Sequence, residues 1–232
     1  MIKPEQTVTI KPEQTVASVV RKNSECAEIF QKYHIDYCCR GNMSLEEAAE
    51  KNNVNLSILI QELVEVILNR NSSPVNDPAN LSTPALISHI ILIHHEFLRK
   101  ALPLVVKLSA KVSGKHGQRD LNLVELDRTV QNLANHLLPH LDKEEKSLFP
   151  AVLSGNIDKK IIDKLFLEMI LEHEEVADML FSINKLTNDF VPPDNACNSY
   201  RTLFSELKYI ENDTFRHVYL ENHILKPRCS EI

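Results

Sequence analysis

Two stretches decide the fold: His140-Leu-Asp-Lys-Glu144-Glu-Lys-Ser-Leu148-Phe-Pro150 and His217-Val-Tyr-Leu-Glu221-Asn-His-Ile-Leu225-Lys-Pro227. Both read His-x-x-x-Glu-x-x-x-Leu-x-Pro, and they lie 77 residues apart. A shorter pair, His95-Glu96 and His173-Glu174, repeats at an offset of 78. The histidines are 45 residues apart in the first half (95 to 140) and 44 in the second (173 to 217). The chain beyond Thr83 is therefore an internal repeat of two helix pairs. Residues i and i+4 share a helix face, one turn apart. His140 with Glu144, and His217 with Glu221, each present an imidazole and a carboxylate together. A pseudo-two-fold brings four histidines and two glutamates to the middle of a bundle.

Local signals around these motifs agree. Thr83 as N-cap, with Pro84 at the first helical position, opens a helix expected to run to about Val112 with a kink at Pro103. Residues 113–117 read as a loop. The second helix is expected from about Asp120 to Phe149, with Pro139 as an internal irregularity. The third runs from about Asp158 to Leu186. The fourth runs from about Asp194 to Leu225, after a loop at 188–193. Four long helices with short connections read as a four-helix bundle. Only 4 of the 232 residues are Gly, and no Gly-rich phosphate-binding motif occurs, so the expected class is all-α. A net charge of −6 argues against bulk nucleic-acid or polybasic membrane binding. No run approaches the roughly 18 apolar residues of a membrane span, and the N-terminus lacks a signal-peptide core, so the cytoplasm is the expected compartment.

Upstream of the bundle the organisation changes. The heptapeptide IKPEQTV occurs twice, at 2–8 and 10–16, and residues 1–14 read as an extended leader. Residues 15–70 read as short helices. Ser44-Leu-Glu-Glu47 is a capping box, and Asn55 caps a helix with an apolar stripe of Leu56, Leu59, Ile60, Leu63, Val64 and Ile67. Between them sits Asp36-Tyr-Cys-Cys-Arg-Gly41, where Gly41 suits a tight turn or a helix C-cap. Residues 71–83 (NSSPVNDPANLST) form a linker, and 84–232 the bundle. The five cysteines are expected as thiols. Cys26, Cys197 and Cys229 read as buried or incidental.

Burying glutamates in a bundle core is unfavourable without compensation. Two cations bridged by two carboxylates supply it. An N/O donor set with open positions and no thiolate suits non-haem iron best. Each metal then receives two histidines and two carboxylate oxygens. A solvent-derived oxo or hydroxo bridge makes five ligands and leaves one position for a small diatomic molecule. Three residues before His95, His140, His173 and His217 stand Leu92, Leu137, Ile170 and Thr214, so the Glu-x-x-His of ferritin-like sites is missing. The carboxylate follows the histidine instead, which points to the haemerythrin type.

On these residues the second domain resembles the haemerythrin-like family. With Asp36-Tyr-Cys-Cys-Arg-Gly41 ahead of it, the chain from 15 to 228 resembles the repair-of-iron-centres family of YtfE/ScdA type: a small helical ScdA-type domain followed by a haemerythrin-like four-helix bundle. Phe149-Pro150 and Glu172-His173-Glu174 fit it too. The resemblance implies a cytoplasmic protein holding two oxo- or hydroxo-bridged non-haem irons, which restores iron–sulfur clusters damaged by nitrosative or oxidative stress. It implies His95, His140, His173 and His217 as ligands with Glu144 and Glu221 as bridges, and His116 as a candidate further histidine. Cys38 and Cys39 match the cysteine pair of the ScdA-type domain and are candidates for iron transfer or redox chemistry. The implied partners are damaged iron–sulfur proteins, with NO or O₂ as small ligands, and the chain is a monomer or homodimer. A sensor or scavenger of NO or O₂, or an NO reductase, is the alternative, and whether the protein is an enzyme stays open. An oxygen-carrying haemerythrin has another histidine one turn after the third-helix histidine. Ala177 stands there, which counts against oxygen transport. His94, about 100° round the helix from His95, is expected outside the ligand set. His89 reads as a core or surface residue, and Glu145 and Glu96 as solvated or as partners of ligand histidines.

Overall fold

A computed structural model describes residues 9–69, 77–155 and 158–230. Among them the chain is helical, with one isolated bridge between Thr15 and Ser44. It divides into two units, Met1–Asn80 and Leu81–Ile232.

The first unit holds α1 (Val16–Lys22), α2 (Cys26–Lys32), α3 (Leu45–Lys51) and α4 (Leu56–Leu68). Side chains satisfy the open amides that begin three of them. The Thr15 hydroxyl accepts from Ser18 N–H, Ser44 and Glu47 close the capping box, and Asn55 accepts from the amides of Ser57 and Ile58. Each cap contributes about 1 kcal/mol. The helices bury Val16, Val20, Phe30, Leu45, Leu59 and Leu63 together with Ile35 and Tyr37 of the α2–α3 connection. The second IKPEQTV copy does more than extend the chain. The carbonyls of Pro12 and Gln14 accept from the amides of Glu46 and Leu45 at 3.2 and 2.9 Å, which ties this segment to the start of α3. The first copy, residue 70 and residues 71–76 of the expected linker lie outside the described residues.

Gly41 is required by close approach. A Cβ there would stand 2.4 Å from the Tyr37 carbonyl oxygen and 2.8 Å from Ala17 Cβ. Its own carbonyl accepts from Ala17 N–H at 2.8 Å, so the cysteine-bearing turn is pinned to α1.

The second unit is a bundle of four long helical runs. We name them α5 (Thr83–His89, Ile90–His95 and Glu96–His116), α6 (Asn122–Lys143, Glu144–Leu148 and Phe149–Ser154), α7 (Lys159–Leu186) and α8 (Asn198–Tyr219, Leu220–Leu225 and Lys226–Ser230). The middle segments of α5, α6 and α8 are π-helical turns. Helix α6 packs on α5 and α7, and α8 packs on α5 and α7, which closes the bundle. Leu98, Leu102 and Val105 of α5 meet Leu126, Val130 and Leu133 of α6, Leu180 and Ile183 of α7, and Leu203 and Leu207 of α8 in a buried core.

Several local expectations shift. Ser82, not Thr83, is the N-cap of α5, and Pro84 is its second residue. Helix α5 passes through Pro103 and continues beyond Val112 to His116; its irregular turn lies upstream, at Ile90–His95. Helix α6 likewise starts at Asn122 and contains Pro139. Helix α8 starts at Asn198 rather than Asp194. The preceding chain is held by three consecutive left-handed residues, Asn188, Asp189 and Phe190 (φ 48°, 60° and 58°). The Arg201 guanidinium then ties the carbonyls of Pro193, Asp194 and Ala196 to the first turn of α8.

Candidate metal centre

The π turns coincide with the chemistry. His95 closes the one in α5, Glu144 opens the one in α6, and Glu221 is the second residue of the one in α8. A π turn closes i→i+5 hydrogen bonds and carries an extra residue, so it re-aims side chains locally; such turns are frequent at functional sites. Helix α7 is regular at His173.

His95, His140, His173, His217, Glu144 and Glu221 converge and are all at most 2% exposed. Their atoms form two quartets, His95–Glu144–His217–Glu221 and His140–Glu144–His173–Glu221, with ligand atoms within 4.8 Å of one another. Each quartet takes one histidine from each half of the repeat. Glu144 Oε1 faces His140 Nε2 at 3.1 Å and His173 Nε2 at 3.6 Å, while its Oε2 faces His95 at 3.4 Å and His217 at 3.8 Å. Glu221 Oε2 lies 3.2 Å from His173 Nε2, and its Oε1 lies 3.0 Å from His217 Nε2. Each carboxylate thus gives one oxygen to each quartet.

Two observations fit a pair of cations. None of the four carboxylate oxygens has a hydrogen-bond partner despite full burial. The Nε2 atoms also face each other in pairs, His95 with His217 at 3.2 Å and His140 with His173 at 3.0 Å. Buried lone pairs aimed at a common point, without protons to share among all of them, are costly unless a cation sits between.

The outer ring nitrogens aim the inner ones. His95 Nδ1 donates to Glu145 at 2.8 Å, and Arg99 anchors that carboxylate at 3.0 Å while also binding Asp142. His140 Nδ1 donates to Glu172 at 2.7 Å, and Glu172 also pairs with Lys143. His173 Nδ1 lies 3.1 Å from Asn222 Oδ1. His217 Nδ1 is buried without a hydrogen-bond partner. Fixing Nδ1–H to a carboxylate or amide oxygen selects the tautomer whose Nε2 lone pair points inward.

The charges are tightly coupled. Burial opposes a charge on His140, but Glu144, with Glu172 behind it, lifts its pKa to about 9. Burial also opposes a charge on His173, and contacts with Glu144 and Glu221 lift it to about 10. His95 goes the other way: burial and the neighbouring His217 depress it. Burial and Glu221 push Glu144 up, yet His140 and His173 bring it below its ordinary value. Glu221 lies well below, because His217 and His173 overcome its burial. The hydrogen bond from His140, aided by Lys143, overcomes burial and holds Glu172 at about 2.

The other candidates fall outside the cluster. His94 is buried, with Nδ1 2.8 Å from Asp213, and its ring stacks on His217 at 5.8 Å. His89 makes an edge contact with His94. Glu145 is a histidine partner, whereas Glu96 is exposed and pairs with Lys100. His116 is not in a loop. It ends the Glu96–His116 segment of α5, with Nε2 3.5 Å from Cys197 Sγ, and belongs to neither quartet. Ala177 is buried. Sequence reasoning did not single out Glu172 or Asn222 as histidine partners. The signal for both was adjacency, since Glu172 precedes His173 and Asn222 occupies the place in the repeat that Glu145 occupies after Glu144.

In the first unit Cys38 and Cys39 lie in the turn pinned by Gly41, with their sulfurs 3.6 Å apart and no disulfide between them. Asp36 Oδ1 accepts from the amides of Cys38 and Cys39 at 3.0 and 2.8 Å and lies 3.2 Å from Cys38 Sγ. Asp36, Cys38 and Cys39 form a third group with metal-ligand spacing. Burial, then Cys39 and Asp36, pushes the Cys38 thiol well above its ordinary pKa, so Cys38 is protonated at neutral pH.

A helical bundle with buried His/Glu quartets defines a cation-binding class, and residues 86–229 match the Hemerythrin HHE cation binding domain. Residues 12–67 match ScdA_N, a domain of unknown function. The chain is 34% identical over 201 residues to a "Probable iron-sulfur cluster repair protein" of Haemophilus influenzae, covering 87% of this chain and 89% of the relative. It is 30% identical over 228 residues to "Iron-sulfur cluster repair protein ScdA" of Staphylococcus haemolyticus, covering 95% and 100%. It is 31% identical over 202 residues to "Iron-sulfur cluster repair protein YtfE" of Yersinia pestis, covering 87% and 90%. The chain belongs to the ScdA/YtfE family of iron–sulfur cluster repair proteins.

Proposed function

We propose that this protein repairs iron–sulfur clusters damaged by nitrosative or oxidative stress, acting in the cytoplasm on damaged iron–sulfur proteins. The observation that carries this reading is the pair of His/His/Glu/Glu quartets sharing both glutamates, in a chain whose relatives bear that name. The donor set suits two non-haem irons per chain, bridged by Glu144 and Glu221 and by an oxo or hydroxo group, held by His95 and His217 on one side and His140 and His173 on the other. Bound there, the irons would supply a store of transferable iron and one-electron redox chemistry.

The chain's own residues set the conditions. Glu145, Glu172 and Asn222 hold the Nδ1 positions of His95, His140 and His173. The bundle keeps the cluster out of bulk water. With five ligands on each metal, one position would remain for NO or O₂. In the first unit Asp36 organises Cys38 and Cys39 as two thiols, which suits them to receive iron or to exchange electrons. Whether the chain acts alone or as a homodimer does not alter the roles of these residues.

The test joins metal content to repair. Wild type should carry about two irons per chain, with near-UV absorption of an oxo bridge, and should restore an NO-damaged cluster protein. Glu144→Ala/Glu221→Ala should lose iron, absorption and repair. Cys38→Ala/Cys39→Ala should keep the iron and lose repair. Full repair by the cysteine variant would remove the thiols from the mechanism, and iron-free wild type after anaerobic reconstitution would overturn the centre.

A further inference from the structure

Two thiols in the bundle, Cys197 and Cys229, belong to neither the quartets nor the cysteine turn. Cys197 is the N-cap of α8 and is partly exposed, whereas Cys229 in the same unit is buried. Its Sγ lies 3.5 Å from Nε2 of His116, delivered by the end of a different helix, α5. The His116 ring packs against Tyr200 at 5.8 Å, and Tyr200 is braced edge-on by Phe204 at 4.8 Å. His116 follows His95 by 21 positions. At about 1.5 Å per residue the pair stands on the order of 30 Å from the quartets.

The surroundings favour the anionic form of the sulfur. The Cys197 side chain makes no capping hydrogen bond, and the Tyr200 amide donates to the Cys197 carbonyl at 3.0 Å. The nearby first-turn amides of α8, led by that of Tyr200, still outweigh burial and, with Lys115, draw the thiol below its ordinary pKa. Backbone donors at a helix start and a neighbouring imidazole are the two features that activate cysteine nucleophiles. Here they come from separate helices: Cys197 stands at the start of α8, and the imidazole that reaches its sulfur comes from the end of α5. Of the expectation that Cys197 is buried or incidental, burial does not hold: the residue is partly exposed.

We propose that Cys197 and His116 form a reactive thiol site that exchanges with low-molecular-weight disulfides. The Cys197 proton passes to His116 Nε2. The thiolate attacks one sulfur of the small disulfide, whose S–S bond breaks as the Cys197 mixed disulfide forms. The departing thiolate takes the proton back from His116. Cys197 is oxidised, one half of the small disulfide is reduced, and no other electron acceptor is needed. The adduct sits where the C-terminal end of the Glu96–His116 segment meets the first turn of α8.

The experiment uses the full chain with its metal in place and oxidised glutathione as the probe, following each cysteine by peptide mass spectrometry from pH 6 to 9. Cys197 should react about tenfold faster in the native protein at pH 7 than in the same protein unfolded in urea, with its pH profile shifted to lower pH. His116→Gln should slow the native reaction about threefold or more and move the profile upward, with the helical circular dichroism unchanged. A native rate no faster than the unfolded one overturns the site by itself, even if His116→Gln does not fold. Adducts confined to Cys39, or an unchanged profile in a folded His116→Gln, overturn it as well.

Discussion

His95 on α5 and His173 on α7 occupy equivalent places in the repeat and are both fully buried. His95 is depressed in pKa and His173 is raised to about 10. His95 reaches its quartet from a π turn and leans on the carboxylate of Glu145; His173 stands on a regular helix and leans on the neutral amide of Asn222. The partners of the other two histidines differ even more. His140 has Glu172, and the residue equivalent to Glu172 in the repeat is His94, which stacks on His217 and leaves its Nδ1 without a partner. The repeat keeps the atoms that face inward and varies those that orient them. What is shared sets the donor geometry and supplies the carboxylates that raise His173, and what differs is how each ring is held from behind.

The largest effect should come from removing what both halves share. Glu144→Ala/Glu221→Ala should take iron from the proposed two per chain to near zero, because each glutamate serves both quartets. If one iron survived, measured by elemental analysis, the quartets would be independent and the shared-bridge reading would fail.

The next effect is one of pH on the metal-free chain. His140 and His173 have folded pKa values near 9 and 10, above their unfolded value near 6.5. Their contribution is fully present below about 6.5 and is lost as pH rises through 9 to 10. The metal-free protein should therefore melt at clearly lower temperature at pH 10 than at pH 7. Metal binding needs neutral imidazoles, so affinity should change in the opposite sense and weaken as pH falls from 9. A flat melting profile between pH 7 and 10 would mean that the raised values belong to neither histidine.

Smaller effects separate the halves directly. Glu145→Gln and Glu172→Gln should each weaken metal binding by about 10- to 100-fold, since each orients a ligand histidine. Asn222→Ala should cost less, because it removes a neutral partner. Competition with a coloured chelator reads all three, and equal losses would erase the distinction between charged and neutral partners.

Glu211 gives a further contrast. It lies buried on α8 against Asn184, and the residue 77 positions earlier is Ala134. Burial, with Asp189 nearby, lifts its pKa to about 7. The folded state therefore binds its proton more tightly than the unfolded state, and stability falls as pH rises from about 4.5 to 7. Glu211→Gln should add about 1–2 kcal/mol above pH 7 and nothing near pH 4.5, measured by urea unfolding. Glu96→Ala, on the exposed face of α5, should change stability by less than about 0.5 kcal/mol.

The inward-facing half of this site was legible because spacing encodes it. His-x-x-x-Glu fixes two side chains on one face whatever surrounds the helix, and the two offsets supplied the pairing of helices. Two caps were legible for the same reason: Ser44 and Asn55 act within three residues of themselves. The π turns left no such trace, since widening a turn depends on what packs against it. Pro103 and Pro139 lie inside helical segments, so neither proline ends its helix. His116 looked like a loop residue beside Gly114 and Gly117, yet the helix runs past the first glycine and ends before the second. Its meeting with Cys197 spans 81 residues and has no periodic signature.

The wide turns at Ile90–His95, Glu144–Leu148 and Leu220–Leu225 also bear on how this chain tolerates changes in its length. Each regular helical residue advances the face by about 100°, so deleting one codon elsewhere in α5, α6 or α8 would turn every later side chain away from its neighbours. A wide turn already stores one surplus residue. Losing that residue would restore an ordinary helix and leave the rest of the rod in phase, at the cost of one donor direction. These three turns are thus the positions where a single-residue deletion would separate the ability to fold from the ability to hold a metal.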